Sequence, residues 1–117
     1  MLDLKNYEDV AIIDLKGEIG PYEVERVGST LFSLLRNRKT KMVLNFQDVE
    51  HIHYPSIPSL VDAVRKLKQF HGDLKFAGMS DYTRSIFMFM GANESVENFK
   101  TVPEAVLSFR SNWRTWH

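Results

Sequence analysis

Apolar and polar positions along this chain follow two different periods, and the switch between them marks out the elements. Val10 to Leu15 (VAIIDL), Lys41 to Phe46 (KMVLNF) and Leu74 to Ala77 (LKFA) are short and mostly apolar, as interior strands are. Between them the apolar residues take helical spacing. Val24, Val27, Leu31, Leu34 and Leu35 form one stripe, and Leu60, Val61, Val64, Leu67 and Phe70 form a second. Ile86, Phe87 and Met90 turn inward from a third helix. A final helix carries Val102, Val106, Phe109, Trp113 and Trp116.

Punctuation agrees with this reading. Leu2 and Leu4 alternate with polar residues, and Asn6 to Asp9 read as a turn, so the first fifteen residues form a hairpin whose second strand Gly17 ends. Pro21 suits the first position of a helix. Gly28 lies on the apolar stripe of that helix, where a close approach to a sheet would suit it. Arg36, Arg38, Lys39 and Lys41 complement the negative helix end and read as a solvated terminus. His71-Gly72 closes the second helix, Ser80 caps the third and Gly91 ends it. Val96 to Lys100 reads as a weaker last strand, and Thr101-Val-Pro-Glu104 as a capping box. Strands and helices therefore mostly alternate, which predicts an α/β fold: a mixed sheet with helices packed against it in a single domain spanning residues 1–117. In such sheets function collects where strands hand over to helices. That draws attention to Gln47 to Lys68, where the polar turn at residues 47–59 leads into a helix N-terminus with unpaired N–H groups and a positive local field.

Composition narrows the chemistry. Fifteen basic residues balance fifteen acidic ones, which argues against nucleic acid or an anionic membrane as the main partner. With no cysteine, disulfides, thiolate metal sites and cysteine nucleophiles are excluded. No leader pattern and no bilayer-length apolar run is visible, so the expected location is the cytoplasm, without membrane insertion. His51 and His53 share a face of an extended segment and make half a zinc site. The third ligand would have to come from His71, His117 or a carboxylate, and surface histidines are the simpler reading. A serine–histidine arrangement of Ser56 with His51 or His53 is conceivable at this turn, but serines at helix starts are usually caps. There is no Gly-x-Ser-x-Gly elbow and no phosphate-cradling glycine loop. The expectation is a protein that is not an enzyme, with no catalytic residue, metal or cofactor. Phe87 to Met90 make the third helix apolar nearly all round, which fits a helix packed on two sides or a core set with one exposed Met, and slightly better a partner-binding face. Trp113 and Trp116 invite the same reading, with a homodimer as one candidate.

Over about residues 4–110 the chain resembles the STAS domain of anti-sigma factor antagonists. VAIIDLKGEI is similar to that family's second strand and its Leu-x-Gly-Glu/Asp-Leu turn. MVLNFQDVEHIHYPSIPSLVDAVRKLK is similar to the strand, turn and helix that hold the phospho-acceptor. GDLKFAGMSDYTRSIFMFMGANESV is similar to the next strand and helix, and TVPEAVLSF to the terminal helix. The resemblance implies a STAS-like mixed sheet of about five strands with about four helices. It also implies a partner-switching regulator that binds an anti-sigma factor or serine kinase. In that switch, phosphorylation of a serine at the helix N-terminus breaks the complex through repulsion and desolvation. Laid on that turn, Asn45 takes the place of the strand aspartate, His53 that of the aspartate before the acceptor, and Tyr54 that of the acceptor serine. Pro55 and Ser56 follow at the Ser/Thr and Gly positions, and Pro58 comes two further on. The usual phosphoserine is missing. His53, Tyr54, Pro55, Ser56 and Ser59 are therefore the expected partner-binding residues, with Ser56 and Ser59 as candidate phosphorylation positions, Ser56 as a side-chain helix cap and Tyr54 as the exposed contact. The alternatives are a scaffold or accessory subunit of a larger assembly, stressosome-like or transporter-associated, and a small-ligand sensor.

Overall fold

The computed structural model describes residues 1–110, so Trp113, Trp116 and His117 lie outside the described residues. The elements run β1 (Leu2–Tyr7), β2 (Val10–Ile19), α1 (Pro21–Arg36), β3 (Lys41–Ile52), a single 3₁₀ turn (Tyr54–Ser56), α2 (Ile57–Gln69), β4 (Asp73–Ala77), α3 (Asp81–Phe89), β5 (Asn98–Phe99) and α4 (Val102–Ser108). One sheet holds the strands in the order β1-β2-β3-β4-β5. The β1–β2 pair is antiparallel and the other pairs are parallel, which gives the expected mixed sheet with four helices.

The continuous apolar runs of the inner strands exist because both faces of the sheet are covered. Side chains alternate along a strand. Ile13, Leu15, Leu44, Phe46 and Phe76 therefore turn one way, onto Val27, Leu31, Leu60, Val64 and Phe87 of the first three helices. Val10, Ile12, Val43 and Ala77 turn the other way, onto Ala105 and Val106 of α4. Phe46, Phe76 and Phe87 form an aromatic knot in the larger core. Phe87 stands edge-on to both of the other rings at 6.0 Å. On the α4 side Lys75 is buried. Its ammonium is paired with Glu97 at 3.0 Å and lies 5.5 and 4.9 Å from the ring centres of Phe99 and Phe109, so the desolvated charge is compensated.

Several expectations need correction. β3 does not stop at Phe46 but continues to Ile52, because Val49 and Ile52 are themselves buried and pair with the far end of β2. β2 likewise passes through Gly17. That glycine adopts φ +78° beside one of two register slips, so it bulges the strand rather than ending it. Gly28 makes no close approach to the sheet and lies in a groove between α1 and α2, where an added Cβ would meet nothing within 4 Å. The expected His71-Gly72 ending of α2 is present, with His71 as its left-handed residue at φ +68° and Gly72 close against Leu67. The Gly72 and His71 N–H groups donate to the carbonyls of Leu67 and Lys68, a Schellman ending. Thr101 accepts from the Glu104 N–H at 3.3 Å, which is half of the expected capping box. β5 shortens to two residues, and α4 ends at Ser108.

Candidate functional site

The corner between β3 and α2 is built around backbone hydrogen bonds that fix the course of its main chain. The His53 N–H donates to the Ile19 carbonyl at 2.8 Å, tying the end of β3 to the end of β2. The Ser56 N–H then donates to the His53 carbonyl at 2.9 Å, closing the 3₁₀ turn. Pro55 lies inside that turn and Pro58 in the first turn of α2, positions where a missing N–H costs no intrahelical bond.

Within this frame the five expected residues separate. His53, Tyr54, Pro55 and Ser59 are exposed, and Ser56 is buried. The Ser56 side chain does not cap α2. The Ser56 backbone is already helical at the N-cap position, and its hydroxyl shares a 2.9 Å hydrogen bond with Nδ1 of His53, the donor being set by the imidazole tautomer. Among the described residues no carboxylate bonds His53, so this contact lacks the third group that orients a catalytic base. Ser59 lines the groove between α1 and α2, beside Gly28, Ser29, Asp62 and Lys66, and shares with Ser56 an adjoining hollow against Pro21 and Val24.

Tyr54 faces the other way, toward α3. It lines a groove of about 580 Å³ with His51, Tyr82, Ser85, Ile86 and Phe89. Along one side the Tyr82 hydroxyl and Nδ1 of His51 share an exposed 2.8 Å hydrogen bond, and the two rings lie tilted 5.8 Å apart. The rim is aromatic and open, with Tyr54 55% exposed, Tyr82 54% and Phe89 85%. Of the apolar run in α3, Phe87 enters the core and Ile86 packs partly against it, while Met88 and Phe89 face outward. Ser80 caps the helix by accepting from the Thr83 N–H at 3.1 Å, and that start sets Tyr82 beside His51. Tyr82 is the residue that sequence reasoning missed. Its only signal was its place in the first turn of a helix following β4.

His51 and His53 send their Nδ1 atoms to different partners, and among the described residues no cluster of three metal-ligating side chains occurs. The Asn45 position is polar in another sense. Its Nδ2 donates to Asp14 at 2.8 Å, and Lys5 pairs with the same carboxylate at 2.9 Å.

The chain belongs to the STAS domain family, whose model matches residues 1–105. Its fold is similar to that of SpoIIAA, the anti-sigma factor antagonist and cell fate determinant of Bacillus, in the unphosphorylated form. That likeness has 20% identity and a TM-score of 0.77 over 94% of this chain and 96% of that one. It is similar to an anti-sigma factor antagonist (STAS) domain protein from Planctomyces limnophilus at 19% identity and a TM-score of 0.78, covering 94% and 98% of the two chains. A variant of RsbS from Moorella thermoacetica matches at 10% identity and a TM-score of 0.80, covering 97% of each. No curated protein matches the chain. Among the described residues no helix is long and apolar enough to cross a membrane.

Proposed function

We propose that this chain is a non-enzymatic regulatory protein that binds an anti-sigma factor or kinase-like partner through the aromatic rim of the β3–α2 corner, in a partner-switching pathway. One observation carries the reading. Tyr54, Tyr82 and Phe89 stand exposed around a single groove, and aromatic residues grouped in this way are the usual anchors of protein interfaces. Family membership, and folds similar to an anti-sigma factor antagonist, support the choice of partner class. The serine–histidine contact is read as structural, because Ser56 is buried and no carboxylate among the described residues holds His53.

The usual phosphoserine is replaced by Tyr54, so the switch, where one operates, falls to Ser59. Ser56 has its hydroxyl engaged and covered. Ser59 is exposed in the first turn of α2, where its hydroxyl is open to a kinase and an added phosphate would meet Glu25 and Asp62 in the groove. Incubation with the cognate kinase and ATP is expected to add one phosphoryl group at Ser59. Modification at Ser56 instead, with Ser59 untouched, would overturn this assignment.

Co-purification from the native organism tests the main reading. Recovery of an ATPase of the kinase type supports it, and loss of that recovery with Tyr54→Ala places the contact. Full recovery with Tyr54→Ala sinks the role of Tyr54. Recovery of a transporter or scaffold subunit favours the alternative of an accessory module, for which an unswitched, proline-stiffened corner would suit permanent assembly.

A further inference from the structure

β1 ends the sheet, and among the described residues nothing pairs with its outer edge. Which of its backbone groups face outward follows from one pair of bonds. The Lys16 N–H donates to the Met1 carbonyl at 2.9 Å, and the Met1 amine donates back to the Lys16 carbonyl at 3.1 Å. In an antiparallel ladder such hydrogen-bonded pairs alternate. Asp3, Lys5 and Tyr7 therefore turn their backbone groups toward β2, while Leu2, Leu4 and Asn6 present theirs to the outside.

We propose that this edge pairs with the same edge of a second copy of the chain, antiparallel and centred on Leu4. With Leu4 opposite Leu4, the outward groups of Leu2 meet those of Asn6 of the second copy, so every outward-facing residue of β1 finds an outward-facing partner. Asp3 then stands opposite Lys5 of the second copy, and this pairing occurs twice. Lys5 already pairs with Asp14 of its own chain at 2.9 Å, so it would lie between two carboxylates. Moving the centre one residue either way sets Asp3 against Asp3 or Lys5 against Lys5, so like charges meet although the outward backbone groups still match, and a centre between two residues mismatches the backbone groups themselves. Charges on an edge strand usually deter pairing. Here their signs are opposed symmetrically about Leu4, so they deter the wrong registers and favour this one. Leu4 itself is 45% exposed beside Arg26, Thr30 and Leu34 of α1, and the contact would cover it. A second copy is a better occupant than an unrelated peptide because both the charge order and the outward backbone pattern are self-complementary under a two-fold axis.

Sedimentation equilibrium of the whole chain is expected to show a species of twice 13.6 kDa growing with concentration. Asp3→Lys should weaken association by roughly tenfold or more, since two attractive pairs become repulsive. Adding Lys5→Asp should restore it, because the charge order is merely reversed and position 3 faces Asp14 across the ladder. In the unaltered protein, the Leu2, Leu4 and Asn6 amides should exchange more slowly as concentration rises, a reading that needs no variant to fold. A monomer at all concentrations overturns the proposal. So does a dimer indifferent to Asp3→Lys, one that the double exchange fails to rescue, or one in which the Leu4 amide stays fast. None of these outcomes depends on Tyr54 or on the partner proposed above.

Discussion

Phe87 and Phe89 are two residues apart on one helix and have opposite fates, so truncating each separates core from binding face. Phe87 is 1% exposed and stands edge-on to Phe46 and Phe76. Losing a buried phenyl ring together with the cavity it leaves costs about 3–5 kcal/mol. Two edge-to-face contacts, each adding about 0.5–1.5 kcal/mol, place Phe87→Ala near the middle of that range or above it. At roughly 4–8 °C per kcal/mol for a domain of this size, the melting temperature should fall by about 15–30 °C. Phe89 is 85% exposed, so Phe89→Ala gives up almost no buried area and should stay within about 0.5 kcal/mol of the parent. Urea unfolding followed by far-ultraviolet circular dichroism measures both, with an unchanged slope confirming that only stability moved. Partner capture should show the reverse order for Phe89→Ala, with full stability and an affinity loss of about tenfold or more if the ring is an anchor. A Phe87→Ala cost below about 1.5 kcal/mol, or a Phe89→Ala cost above that, would refute the division of α3 into a core face and a rim. Unaltered partner affinity in a stable Phe89→Ala protein would remove Phe89 from the contact.

Three further outcomes are expected. Ser56→Ala should destabilise by about 1 kcal/mol through loss of the hydrogen bond to His53, and His53→Ala combined with it should cost less than the two separate losses added together, by chemical denaturation. Were Ser56 a cap, the two losses would simply add. Gly78→Ala should cost at least about 2 kcal/mol, because φ is +76° and a Cβ would lie 3.0 Å from both the Asn45 side-chain oxygen and the Gln47 nitrogen; an unchanged urea midpoint would contradict this. The Glu23 carboxylate accepts the Gly20 N–H at 2.8 Å, a bond that holds its pKa below the ordinary glutamate value. A depressed native pKa gives stability that is complete above the unfolded value and is lost as pH falls through the native one, so Glu23→Gln should flatten that part of the acid limb, and an identical acid profile would show that the bond contributes nothing.

The elements and their order were legible because the inner strands are buried on both faces and the helices on one, and each burial pattern leaves its own period in the sequence. Ser80, Gly91 and the C-terminal half of α2 were readable for a related reason, since helix ends need particular backbone and hydrogen-bonding residues. What stayed hidden depends on distant neighbours. The second half of β3 looks polar because Gln47, Asp48, Glu50 and His51 are exposed. Only the pairing of Val49 and Ile52 with Gly17 and Ile19, across two bulges, makes it a strand. The direction of each site residue was hidden in the same way. Nothing local says that Tyr54 turns toward α3 while Ser59 turns toward α1, or that Tyr82 meets His51 from thirty-one residues away. Ser56 is buried and bonded to His53, and a serine before a helix gives no hint of either when read as a cap.

The corner's chemistry also differs from the one that its position first implies. A strand handing over to a helix should offer free N–H groups and a positive field to an anion. Here the Ile57 N–H already donates to the Tyr54 carbonyl, the Ser56 N–H to His53 and the His53 N–H to Ile19, while Pro55 and Pro58 have none to give. Much of the donor array that would receive a phosphate on the corner residue is thus consumed inside the fold or absent. The same bonds fix Tyr54 in place at the rim of the His51–Tyr82 groove without an induced rearrangement, which lowers the ordering cost of binding. On the function proposed above, a partner would meet a stiff aromatic rim rather than a free donor array, so its affinity is expected to change little with salt.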